Sequence, residues 1–114
     1  MIQASCHCGA VELTLKKLPD TYTECNCSIC RRYAAQWLYV EASEVEITAA
    51  EGVISRYQWG DHEIDFCHCS GCGSVTHYRS LPESDNSRVA INGRVLDPQV
   101  LTGLNKREFD GAAM

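Results

Sequence analysis

Eight cysteines fall into three short knots, and none lies outside them: Cys6-His7-Cys8, Cys25-Asn26-Cys27-Ser28-Ile29-Cys30 and Cys67-His68-Cys69-Ser70-Gly71-Cys72-Gly73. Thiols one or two residues apart converge on a point. Two cysteines separated by a single residue make a poor disulfide, because the bridge needs wider-set, facing Cβ atoms. A soft or borderline divalent metal suits such a set, and zinc is the ordinary ion for tetrahedral sulfur. Iron–sulfur ligand sets usually come without paired C-x-C spacings. The spacing therefore predicts a fold organised around zinc sites.

A chain of 114 residues is expected to form a single domain, 1–114, with a modest core. Metal would anchor irregular stretches such as 20–34 and 80–87. The formal net charge is −5, and a four-thiolate zinc site makes it more negative still. Lys16-Lys17 and Arg31-Arg32 are isolated pairs in a chain without a basic run. These charges argue against nucleic acid and against an anionic membrane surface as partners. No apolar stretch approaches the length of a membrane span. Met1 to Ser5 run into the first knot without the pattern of a secretory signal. Clustered cysteines without such a signal point to a reducing compartment, so the expected location is cytoplasmic.

The rest of the chain reads as short strands and frequent turns. Val11–Leu15 and Val45–Thr48 alternate apolar and polar residues, as half-buried strands do. Gln36–Val40, rich in aromatic and β-branched side chains, reads as a central strand. Further strands are expected at Tyr22–Glu24, Val53–Trp59, His62–Phe66, Ser74–Tyr78 and Arg88–Asn92. Ser28–Arg32 reads as one helical turn capped by Ser28. Asp97–Leu101 reads as another, with Pro98 at its first position. Lys106–Met114 reads as a half-ordered tail. The fold class is mainly β.

Eight thiols can be divided in more than one way. Two complete four-cysteine sites would use all of them. A site of four plus an open site of three would leave one over. A closed tetrahedral site holds a fold together, whereas three protein ligands leave a position for water or substrate. The flanking residues favour the second division. Cys69-Ser70-Gly71-Cys72-Gly73 is a zinc-knuckle sequence, and Gly73 allows backbone amides to turn toward the sulfurs. Cys8-Gly9 shares the trailing glycine, so Cys6 and Cys8 pair naturally with Cys69 and Cys72. Cys25, Cys27 and Cys30 then remain as a three-sulfur group followed by Arg31 and Arg32. Cys67 stays open, as a spare buried thiol or as a fourth ligand.

His7 and His68 sit between ligands and are expected to point outward. His62 follows a turn, and His77 reads as a packed, hydrogen-bonded histidine. Trp37, Tyr39, Tyr57 and Trp59 have strand spacing and read as core before they read as pocket wall. Arg31, Arg32 and Arg94 are the candidate anion-binding residues.

Taken together, these motifs resemble the glutathione-dependent formaldehyde-activating enzyme family, also linked to centromere protein V. The resemblance runs from Cys6-His7-Cys8-Gly9-Ala10-Val11 through Cys25-Asn26-Cys27-Ser28-Ile29-Cys30-Arg31-Arg32-Tyr33 and Tyr57-Gln58-Trp59-Gly60-Asp61. It continues through Cys69-Ser70-Gly71-Cys72-Gly73-Ser74-Val75-Thr76-His77-Tyr78 and Val89-Ala90-Ile91-Asn92-Gly93-Arg94 to Phe109-Asp110-Gly111. It implies small coiled antiparallel sheets of the β-tent type holding two zincs. Carried over, Cys6, Cys8, Cys69 and Cys72 make the structural site, and Cys25, Cys27 and Cys30 the catalytic or labile one. The implied activity is that of a carbon–sulfur lyase acting on a thiol–aldehyde adduct such as S-hydroxymethylglutathione. Arg31 or Arg32 would bind a carboxylate of the thiol, and His77 or Tyr33 would move the proton. The alternatives are a two-zinc binding module without turnover and a buffer for thiol or metal stress.

Overall fold

The computed structural model describes residues 1–113. Its first sheet has three antiparallel strands, β1 (Ile2–Ser5), β2 (Glu12–Leu15) and β5 (Val45–Thr48), in the order β1-β2-β5. The alternation in β2 decides which face turns inward: Leu13 and Leu15 are buried while Glu12 is exposed. Leu15 stands opposite Ile2 on one side and Val45 on the other.

The second sheet has seven strands. They are β3 (Thr21–Cys25), β4 (Trp37–Glu41), β6 (Ile54–Tyr57), β7 (Ile64–Cys69), β8 (Val75–Ser80), β9 (Arg88–Asn92) and β10 (Asn105–Phe109). Their order is β10-β3-β4-β9-β8-β7-β6. Every pairing is antiparallel except β10 on β3, which is parallel. Among the described residues there are also two short α-helices, α1 (Cys30–Tyr33) and α2 (Pro98–Thr102), and three single-turn 3-10 helices at Ala42–Glu44, Gly93–Val95 and Gly111–Ala113.

The interior strands bury both faces. One face sets Leu38, Val40, Val89 and Ile91 against Val11, Leu13, Leu15 and Val45, and the same cluster takes in Cys6 and Cys69. The other face gathers Trp37, Phe66, Tyr78 and Ala90 around Cys30 and Ala35. Trp37 is fully buried and stacks edge-on against Tyr78, with ring centroids 4.9 Å apart. Truncating such a ring costs about 3–5 kcal/mol. Each cysteine group therefore borders a different part of the core.

The expected strands are present, and Gln36–Val40 corresponds to the interior strand β4. Four local features differ from the sequence reading. Ile2–Ser5 is a strand. Ser28 does not cap α1, whose N-terminal boundary residue is Ile29 and which has no side-chain cap; the Ser28 carbonyl instead accepts a 2.7 Å bond from Arg32 Nη1. Tyr57 and Trp59 are exposed, because β6 is the edge of the large sheet and Trp59 lies beyond its end. Asn105–Phe109 is a strand although every residue in it is exposed. Its backbone supplies the order: Asn105 N–H donates to Asp20 C=O at 2.9 Å, and the strand then runs alongside β3. Met114 lies outside the described residues. In α2 the Asp97 side chain accepts from the Gln99 amide at 3.0 Å, and Pro98 takes the first turn. Among the described residues, no helix is long and apolar enough to cross a membrane.

Candidate metal centres and cleft

The sulfurs of Cys6, Cys8, Cys69 and Cys72 all lie within 4.8 Å of one another. Cys6 follows β1 and Cys8 sits in the turn after it; Cys69 ends β7 and Cys72 occupies the β7–β8 turn. Gly9 and Gly73 hold the positive φ angles that these turns need, +83° and +80°. Two of the six edges, Cys6–Cys8 at 3.7 Å and Cys8–Cys69 at 3.6 Å, have the length a tetrahedral thiolate set requires. Zinc–sulfur bonds of about 2.3 Å give sulfur–sulfur edges of about 3.8 Å. Backbone and hydroxyl donors favour the thiolate form. Val11 N–H donates to Cys6 Sγ at 3.3 Å, and the Ser74 hydroxyl lies 3.3 Å from Cys72 Sγ. The Ser74 hydroxyl and amide together pull the Cys72 thiol down to about 5.

Cys25, Cys27 and Cys30 form a second group with sulfurs within the same 4.8 Å. Cys25 ends β3, Cys27 lies in the following turn and Cys30 begins α1. The Cys30 amide donates to Cys27 Sγ at 3.5 Å, and Trp37 Nε1–H donates to Cys30 Sγ at 3.4 Å. Burial raises the Cys27 thiol, but bonds from the Cys30 amide and the neighbouring thiols outweigh it and leave the thiol below its usual range. Burial comes first for Cys30 as well and pushes it up to about 12.

Cys67 belongs to neither group. It is fully buried, burial raises it to about 11, and its thiol points to the Asp65 carbonyl at 3.7 Å. A register shift between Cys67 and His68 separates it from Cys69. Cys67 stands opposite His77. His77 is fully buried, with Nδ1 2.7 Å from the Thr76 hydroxyl. Burial, then the charges of Arg79 and Arg56, lower it to about 3, so the ring stays neutral.

A cleft of about 680 Å³ opens beside the three-sulfur group, and Cys25 and Cys30 are part of its wall. Arg31 and Arg94 are among the residues that line it. Arg94 is held by a 3.0 Å bond from Nε to the carbonyl of Ala34, the left-handed residue that ends α1. Arg32 does not line the cleft, since its guanidinium folds back onto Ser28. Tyr33 packs against Phe66 instead, at 5.8 Å between centroids, and His77 is not in the wall. Glu24, Glu108 and Asp110 are in it. The sequence reading missed these three carboxylates, and it missed Asn26, which bonds to the chain after β10. The available signal was the position of Asn26 between two cysteines and that of Asp110 within Phe109-Asp110-Gly111.

The family model for the glutathione-dependent formaldehyde-activating enzyme matches residues 1–107. The crystal structure of a Rhodobacter sphaeroides protein, solved as a structural-genomics target, is similar at 27% identity with a TM-score of 0.74. The likeness covers 92% of this chain and 99% of that one.

Proposed function

This chain belongs to the glutathione-dependent formaldehyde-activating enzyme family, and on that premise we propose that it is a zinc-dependent carbon–sulfur lyase acting on a thiol–formaldehyde adduct such as S-hydroxymethylglutathione. The observation that carries the proposal is a group of three sulfurs, one short of a tetrahedral set, beside a cleft that also presents two guanidinium groups. The donors fit zinc in chemistry and in number. Cys6, Cys8, Cys69 and Cys72 would hold one ion, and Cys25, Cys27 and Cys30 a second, for two per chain. A zinc with three thiolates supplies a Lewis-acidic position that lowers the pKa of a thiol or water.

The residues of the chain do the rest. Arg31 and Arg94 hold a carboxylate of the thiol partner and so orient it against the aldehyde. Arg32, tied to Ser28, steadies the helical turn. The Trp37 indole and the Cys30 amide stabilise negative charge on Cys30 and Cys27. In the forward step the thiol sulfur bonds to the aldehyde carbon, the carbonyl π pair moves to oxygen, and the thiol proton ends there. The reverse step breaks the carbon–sulfur bond and returns the proton. Glu24, Glu108 and Asp110 are the cleft groups able to relay that proton. His77 is too deeply buried to do so. A reducing compartment such as the cytoplasm keeps the thiols available.

Exchange NMR between S-hydroxymethylglutathione and its two components tests this. The zinc-loaded protein should raise the interconversion rate above that of the unaided mixture, and Cys27→Ser should return it to the unaided rate. A wild-type protein that leaves the rate unchanged would overturn the proposal.

A further inference from the structure

We propose that Phe109–Ala112 forms a strap that positions the three-sulfur group, with Asn26 and Gly111 as its positioning residues. This rests on the reading of that group as a metal site. The parallel pairing sets Phe109 beside Cys25, so the chain leaving β10 must cross the Cys25–Cys27 turn. Asn26, between the two cysteines, ties that crossing down with three bonds. Its backbone N–H donates to Phe109 C=O at 3.2 Å. Its Nδ2 donates to Asp110 Oδ1 at 2.9 Å, and its Oδ1 accepts from the Ala112 amide at 2.9 Å.

Gly111 lies against the Cys25 sulfur. A Cβ there would stand 2.6 Å from Cys25 Sγ and 3.1 Å from Cys27 Cβ. Its φ is not in the left-handed region, so what the position demands is space. Any side chain must displace the strap or the Cys25 sulfur. The strap does little for the core: β10 is exposed throughout, and the Asn26 side-chain bonds are exposed too. Exposed hydrogen bonds contribute little to stability, whereas partners that orient a ligand typically change metal affinity about 10–100-fold. Phe109 and Asp110 also line the cleft, so the strap sets both the position of Cys25 and one wall of the approach to it.

Native mass spectrometry of zinc-loaded protein, with zinc release to a competing chelator, tests the strap in wild type, Gly111→Ala and Asn26→Ala. Wild type should carry two ions. Gly111→Ala should keep one firmly and lose the other, or release it at least about tenfold faster; Asn26→Ala should shift release in the same direction by less. Cobalt-substituted variants should show a changed thiolate-to-metal absorption, with unchanged melting of the fold. Wild-type retention and spectra in both variants would overturn the strap. So would a lowered melting temperature with an unaltered spectrum, which is the mark of a merely structural role. If Gly111→Ala fails to fold, Asn26→Ala decides the matter. A wild-type chain carrying a single ion would instead defeat the reading of the three-sulfur group itself.

Discussion

The four-sulfur and three-sulfur groups use the same side chain, yet they recruit it over very different spans of sequence. Cys8 and Cys69 are 61 residues apart, and bringing them together joins the end of β1 in the small sheet to the β7–β8 turn of the large one. Cys25, Cys27 and Cys30 come from six consecutive residues already shaped by β3, α1 and the Trp37 indole. On the proposed division, an ion in the first group would close a long loop and clamp two sheets, and its binding would be coupled to folding. An ion in the second would find ligands that the backbone has largely arranged, and would leave the fold much as it was. The difference implies that a metal's contribution to stability would follow the length of chain it closes rather than the number of sulfurs it touches.

The largest expected effect breaks or upholds that contrast directly. Cys72→Ser should unfold the protein, since structural zinc contributes on the order of 10 kcal/mol in small metal-dependent folds. Cys27→Ser should leave the cooperative urea transition within about 1–2 kcal/mol of wild type, while removing activity. Circular dichroism during urea unfolding measures both, and equal losses would mean that the two groups play the same structural part.

A smaller effect sharpens the contrast. The Trp37 indole donates only to the three-sulfur group, at Cys30. Trp37→Phe keeps an aromatic ring in the core and removes the donor, which contributes about 1.5–3 kcal/mol when the acceptor is charged. Chelator release should therefore quicken at the second ion by roughly tenfold or more and stay unchanged at the first. Equal quickening at both would show that the ring acts through general packing alone.

Which sulfurs lie near one another is legible where glycine marks tight turns. Gly9 and Gly73 flag the two halves of one group, and the sulfurs of the four cysteines they accompany do come together. Most strands were legible through period-two alternation, which burial imposes on a half-covered sheet. Asn105–Phe109 escaped because it is exposed on all sides and is ordered by its backbone; no apolar pattern is needed there. Tyr57 and Trp59 misled for the opposite reason, as aromatic residues on and beyond an edge strand. Cys67 could not be assigned by spacing, because a register shift beside it decides which neighbours it meets. The carboxylates of the cleft were hidden by distance: Glu24 and Asp110 belong to opposite ends of the chain and meet only through the parallel pairing.

In the proposed division, the four-sulfur group clamps the fold while the three-sulfur group stays open for work. The most direct test is stepwise chelation followed by native mass spectrometry and circular dichroism on the same sample. Wild-type protein should carry two zincs per chain, of which a mild chelator removes one while the spectrum of the folded protein persists; removal of the second should unfold it. Two zincs that resist equally, or that leave together with the fold, would contradict it.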